Sequence, residues 1–179
     1  MLDRVREAVF ATLGERVEGT DVLDLFAGTG SLGLEALSRG ARRVRFFERD
    51  RAMARVLAEN VAALDVADRA EMHVGDALVT SRWGAGPQDL LLLDPPYPLV
   101  REGPGRRRIL SAMAAWFGGW AGPGAVCVLH VPRYALAERE FPPGCTADER
   151  VYGTNAIWYV EVATDEGRAE PAPAENSTP

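Results

Sequence analysis

Cysteine and histidine are both scarce. The 179-residue chain holds two cysteines, Cys127 and Cys145, and two histidines, His73 and His130. It has no C-x-x-C and no histidine pair at ligand spacing, so neither a disulfide framework nor a zinc site is expected, and no other metal. Both histidines fall within or at the ends of expected strands and are read as structural. Long apolar runs are missing as well. No stretch is long enough to cross a bilayer as a helix, and Met1-Leu2-Asp3-Arg4 does not open a signal peptide. A cytoplasmic protein without a membrane partner is expected. Positive charge is in deficit: the formal net charge is −6. That argues against an extended nucleic-acid surface while leaving room for a local basic patch. No internal repeat occurs.

What is present reads as one globular unit. The chain is 47% hydrophobic, ordinary for a folded protein, and its length points to one domain over residues 1–163. From Thr164 the composition shifts to Glu, Pro, Ala, Ser and Thr, so residues 164–179 are expected to be a disordered tail. Before it, apolar strands alternate with amphipathic helices. Helices are expected from Asp3 to about Leu13, Ser31 to Arg39, Arg51 to Leu64 (with Met53, Val56, Leu57, Val61 and Leu64 inward) and Ile109 to Trp120. Strands are expected at Val22–Leu25, Val44–Glu48, Glu71–Val74, Leu90–Leu93 and Ala125–Val131. A terminal hairpin is expected from Arg150–Gly153 and Ile157–Val162. Arg101 to Arg108 reads as a glycine- and arginine-rich loop. The fold class is α/β: a mostly parallel, doubly wound sheet with a C-terminal antiparallel hairpin.

The stretch Asp21–Gly40, DVLDLFAGTGSLGLEALSRG, organises the rest. A buried strand carrying Asp24 runs into the turn Phe26-Ala27-Gly28-Thr29-Gly30, and a helix follows. Glycines let a ligand approach the backbone, and the helix N-terminus offers unpaired N–H groups. Gly28, Gly30 and Gly33 also satisfy G-x-G-x-x-G, which suits several cofactor folds. Four carboxylates, Asp24, Glu48, Asp76 and Asp94, fall at strand ends, where open α/β sheets bind ligands. Glu48 follows the glycine turn at the spacing of an acid that meets ribose hydroxyls; the alternative is that it caps the next helix. Asp76 either meets a ligand or only closes a turn after Gly75.

Asp94-Pro95-Pro96-Tyr97 is the sharpest signal. Two consecutive prolines stiffen the backbone and remove two donors, with a carboxylate at one end and an aromatic ring at the other. A flat, amine-bearing group could stack on Tyr97 while bonding Asp94 and the Pro95 carbonyl, as enzymes acting on a nucleobase require.

The runs DRVREAVFATL, VLDLFAGTGSLGLEALSRGA, ERD, GDA and LLLDPPY together resemble the bacterial 16S ribosomal RNA guanine-N2 methyltransferases. These are Rossmann-like class I enzymes that use S-adenosylmethionine. The resemblance runs from about Asp3 to Tyr97 and resumes loosely in VYGTNAIWYVE. It implies that Asp24, Phe26, Ala27, Gly28 and Gly30 surround the methionine part of the cofactor. It likewise implies that Glu48 binds the ribose, that Arg49 and Asp50 flank the adenosine, and that Asp76 and Ala77 meet the adenine. Asp94, Pro95, Pro96 and Tyr97 would hold the guanine amine toward the methyl group. The implied partner is ribosomal RNA or a small-subunit ribosomal particle, acted on by a monomer.

Family members usually carry a basic segment before the first helix, whereas Met1 here falls almost at that helix. Arg4, Arg6 and Arg106–Arg108 are the candidates for phosphate contacts. Three other readings fit parts of the pattern. D-P-P-Y also suits an adenine-N6 methyltransferase, and the glycines alone suit an NAD-dependent oxidoreductase. A cofactor-binding RNA-assembly module without turnover is the third. Asp24 within the first strand and D-P-P-Y on the fourth oppose the oxidoreductase. Asp94 and Tyr97 together oppose the inactive module.

Overall fold

The computed structural model describes residues 3–101 and 103–163; the expected tail at 164–179 lies outside them. Seven strands make one sheet: β1 (Asp21–Leu25), β2 (Arg43–Glu48), β3 (Ala70–Val74), β4 (Gln88–Leu93), β5 (Ala121–Pro132), β6 (Cys145–Tyr152) and β7 (Asn155–Val162). Their spatial order is β3-β2-β1-β4-β5-β7-β6. The first five run parallel, and β7 returns antiparallel between β5 and β6. The helices are α1 (Asp3–Leu13), α2 (Ser31–Ser38), α3 (Arg51–Ala63), α4 (Tyr97–Arg101) and α5 (Gly103–Gly119).

The central strands carry apolar runs, Val22-Leu23 in β1 and Leu90–Leu93 in β4, because both faces of the sheet are covered. Val22, Leu90 and Leu92 point into one core with Phe10 of α1, Leu32 of α2 and Leu57 of α3. Leu23, Leu25, Leu91 and Leu93 point into the other, with Met113 and Trp116 of α5. The period-2 alternation of a strand sorts one uninterrupted run into two layers. Each such fully buried side chain contributes roughly 1.5–3 kcal/mol.

Three expectations change. First, Met53 and Leu64 were expected to face inward, but they are 40% and 58% exposed; Leu57 and Val61 carry the buried stripe of α3. Leu64 is the C-cap residue, past the last helical turn, and Met53 lies in the first turn. Second, the expected loop at 101–108 is mostly helix, since α5 begins at Gly103. Pro104 is tolerated in a first turn, and arginine is a good helix former. Gly105 is buried, and a Cβ there would strike the Leu99 carbonyl, so the glycine permits α4 and α5 to meet. Third, β5 and the terminal hairpin are longer than the apolar patterns indicate. Residues of β6 are mostly exposed and polar on this outermost strand, which leaves little periodicity to read.

Candidate active site

The strand order reverses between β1 and β4. Connections from β1 leave toward β2, and those from β4 leave toward β5, so a crevice opens beyond the carboxyl ends of these two strands. The glycine turn closes β1 and D-P-P-Y closes β4. The two motifs most separated in sequence meaning therefore face one crevice.

The turn is built on left-handed backbone. Phe26, Gly28 and Gly30 have φ of 67°, 56° and 89°. A Cβ added at Gly28 would meet nothing within 4 Å, so this glycine faces open space where a ligand can approach. Gly33 differs: a Cβ there would strike the Phe46 ring, and its absence lets α2 lie close on β2. The third glycine of the pattern is thus a packing residue.

Glu48 braces the turn. Its Oε2 accepts from Gly28 N at 2.8 Å, and its Oε1 accepts from Asp50 N at 2.7 Å. It does not cap α3. That role belongs to Asp50, whose Oδ1 accepts from Ala52 N at 2.7 Å and Met53 N at 3.1 Å. Arg49 and Asp50 are exposed at the rim, while Ala27 and Ala77 are buried.

Asp24 lies beneath the turn, 1% exposed. Its Oδ2 accepts from Gly33 N at 2.9 Å, and its Oδ1 is a buried acceptor without a hydrogen-bond partner among the described residues. Burial pushes this carboxyl up to about 7, and the nearby Asp94 and Glu48 charges add to the rise, against the lowering bond from Gly33. A cationic ligand group at this spot would supply the missing donor and favour the ionised form.

Asp76 closes a turn and also pairs. Its Oδ1 accepts from Leu78 N at 3.0 Å, and its Oδ2 meets Arg108 at 2.6 Å. Burial raises its carboxyl, but Arg108 and the Leu78 N–H outweigh this and hold it below the usual range. Arg106 pairs with Glu140 and Arg6 contacts Asp3 and Glu35. Of the arginines expected to meet phosphates, Arg4 and Arg107 alone have no carboxylate partner among the described residues.

Beyond β4, Pro95 is buried, Pro96 is exposed, and Tyr97 starts α4 at 38% exposure. The Tyr97 hydroxyl donates to Asn155 Oδ1 at the start of β7. The ring meets that of His130 edge-on, with centroids 6.1 Å apart. His130, read from sequence as structural, lies beside the D-P-P-Y carboxylate. It is 3% exposed, and its Nδ1 lies 2.7 Å from Asp94 Oδ1. Burial raises the Asp94 carboxyl, yet the His130 bond and its charge leave it below the ordinary value. The carboxylate is therefore the acceptor and His130 Nδ1 the donor. The signal was in the strand register: Leu93 pairs with Leu129, so the next residues, Asp94 and His130, fall side by side. Asn155 belongs to the same rim because Pro132 pairs with it. His73 is stacked on Phe47 at 4.6 Å and lies 2.8 Å from Glu71.

The family model described as conserved hypothetical protein 95 matches residues 1–160. The chain is 39% identical over 95 residues to ribosomal RNA small subunit methyltransferase D of Escherichia coli, covering 53% of this chain and 48% of that protein. It is 38% identical over 98 residues to the protein of the same name from Haemophilus influenzae, covering 53% of this chain and 51% of that one. The chain spans about half the length of the curated relatives it matches. A conserved hypothetical protein of Streptococcus pyogenes superposes with a TM-score of 0.75 at 26% identity, over 87% of this chain and 93% of that one. TrmN from Thermus thermophilus shares the fold, with a TM-score of 0.72 at 23% identity over 89% of this chain and 48% of that one.

Proposed function

The chain belongs to the conserved hypothetical protein 95 family, and from that footing we propose that it is an S-adenosylmethionine-dependent methyltransferase acting on guanine N2 of small-subunit ribosomal RNA. One observation carries the reading: a glycine turn over a buried, half-satisfied carboxylate faces a D-P-P-Y strand end across one switch-point crevice. The names of the relatives add the RNA and the methyl transfer.

The residues fit the cofactor. Asp24 Oδ1 lacks a donor, which the α-ammonium of the methionine part would provide. The space beside Gly28 admits the cofactor chain. Glu48 stands at the rim to accept from ribose hydroxyls, and Asp76 with Ala77 borders the adenine position. When bound, S-adenosylmethionine supplies an electrophilic methyl group on a positive sulfur. The protein's contribution is alignment and a fixed negative field. Asp94 orients the guanine amine and accepts the proton that the nitrogen loses once it holds the methyl group. His130 fixes the plane of that carboxylate through Oδ1. A carboxylate held below its ordinary pKa is a weak base, so orientation precedes proton loss. Tyr97 stacks on the base. A monomeric catalyst in the compartment of ribosome assembly is part of the same proposal.

The test is direct. Labelled S-adenosylmethionine is incubated with unmodified 16S ribosomal RNA, free and in small-subunit particles, and the RNA is digested to nucleosides for mass analysis. N2-methylguanosine is the expected product. N6-methyladenosine would move the assignment to adenine, and no transfer to either substrate would remove the RNA reading.

A further inference from the structure

The turn after β5 carries a feature that the cofactor and the target amine do not use. Tyr134 is 80% exposed, more than any other large hydrophobic residue described. Its φ is +65°, a left-handed backbone that a bulky side chain adopts rarely. The conformation is held in place. Ala135 N donates to Pro132 O at 3.0 Å, closing the turn, and Arg133 N donates to Thr154 O at 2.9 Å, tying it to the β6–β7 hairpin. A turn pinned on both sides and spent on presenting a ring to solvent calls for a reason outside the fold.

The neighbourhood says what kind. The Arg133 guanidinium lies over the Tyr134 ring, 4.5 Å from its centroid, and Arg133 has no carboxylate partner among the described residues. A planar cation over one ring face leaves the other face to stack on a base and offers a charge to its phosphate. The position is the catalytic rim. Tyr134 follows His130 by four residues, a reach of at most about 14 Å along the chain, and His130 touches Asp94. Thr154, which holds the turn, precedes Asn155, which receives the Tyr97 hydroxyl. Two arginines expected to grip RNA are instead occupied by Glu140 and Asp76. The acidic chain therefore needs some other local grip on its substrate.

We propose that Tyr134 and Arg133 form a subsite for an unpaired nucleotide of the RNA next to the target, the base stacking on Tyr134 and its phosphate meeting Arg133. This rests on the RNA-methyltransferase reading and adds a specificity element to it. An unpaired neighbour beside the target is the signature of a single-stranded loop or bulge, so the subsite selects such elements over helical RNA.

The experiment measures methyl transfer to small-subunit particles assembled with unmodified 16S ribosomal RNA, for parent, Tyr134→Ala, Tyr134→Phe and Arg133→Ala. Cofactor affinity by calorimetry and thermal midpoints serve as controls. Tyr134→Ala should raise KM for the particle about ten-fold or more, within the range of base–aromatic stacking, with cofactor affinity unchanged. Alanine keeps the Cβ that makes a left-handed backbone costly, so its thermal midpoint should stay near the parent's. Tyr134→Phe should keep parental KM, because the ring face persists, and Arg133→Ala should weaken binding most at low salt. Parental KM and kcat for Tyr134→Ala, on particles the parent methylates, would overturn the subsite and leave the methyltransferase intact. Equal loss in Tyr134→Phe and Tyr134→Ala would also overturn it, since the hydroxyl and not the stack would then matter. If the parent methylates no RNA, both proposals fall together.

Discussion

At Asp24 the arithmetic of protonation decides what should be seen. Its folded-state carboxyl sits at about 7 against an ordinary 3.8. Between those values the unfolded chain loses the proton while the folded chain keeps it, so stability falls as pH rises. The decline begins near pH 4 and is complete above pH 7. Three units correspond to on the order of 4 kcal/mol. Asp24→Asn, which keeps an oxygen for Gly33 N, should flatten this part of the profile in urea titrations taken from pH 4 to 8. An unchanged slope would place the titration elsewhere. Cofactor binding near pH 6 should release a proton from the same carboxyl, visible as a dependence of calorimetric heat on buffer ionisation enthalpy. At Asp94 the expectation concerns rate. Asp94→Ala should cut kcat by roughly 30- to 1,000-fold, about 2–4 kcal/mol of lost electrostatic stabilisation, with cofactor affinity nearly intact. His130→Asn retains a donor toward Asp94 and should keep most of the rate; His130→Leu should lose it. If both variants transfer methyl at equal rates in single-turnover assays, His130 only fills space.

Elements show which parts of this arrangement were legible. The unbroken run at Leu90–Leu93 announces a central strand, and the glycine turn and D-P-P-Y announce its ligand-facing end. The start of α5 was hidden, because Gly103-Pro104-Gly105 reads locally as a breaker. Only the approach of Leu99 reveals what Gly105 permits. His130 was hidden for a different reason: its partner lies 36 residues away, and strand register is not written in either strand alone. The Tyr97 hydroxyl was hidden likewise. It fastens α4 to β7 through Asn155, so Tyr97→Phe leaves an unmatched acceptor in a largely buried residue. That change should cost about 1–3 kcal/mol of stability while preserving the ring proposed to stack on the base. A thermal midpoint equal to the parent's would show that water replaces the phenol. Gly33→Ala should cost a further about 1–3 kcal/mol by overpacking against Phe46. Phe46→Leu, which vacates that space, should recover part of it in the double variant.

The molecule as a whole is acidic, with a net charge of −6, and all 20 of its basic residues are arginine. Arginine favours planar, bidentate contacts with phosphate over diffuse attraction, and several of these guanidinia are already held by carboxylates. Binding to RNA should therefore have a shallow salt dependence. With Arg4, Arg107 and Arg133 as the contacts, log affinity against log salt should slope at about −2. Arg107→Ala should reduce that slope and Arg106→Ala should not; a steep slope insensitive to Arg107 would point to another surface. The order of the sheet has a consequence for biosynthesis. β7, late in the chain, inserts between β5 and β6 and brings Asn155 to the rim. A growing chain that has exposed only its first 130 residues displays β5 as an open edge, which invites pairing with other chains. Tyr97 in that state lacks Asn155, the residue that its hydroxyl bonds. A translation pause before the terminal hairpin would hold the chain prone to aggregate, and release of that hairpin would cover the β5 edge and complete the candidate site in one step.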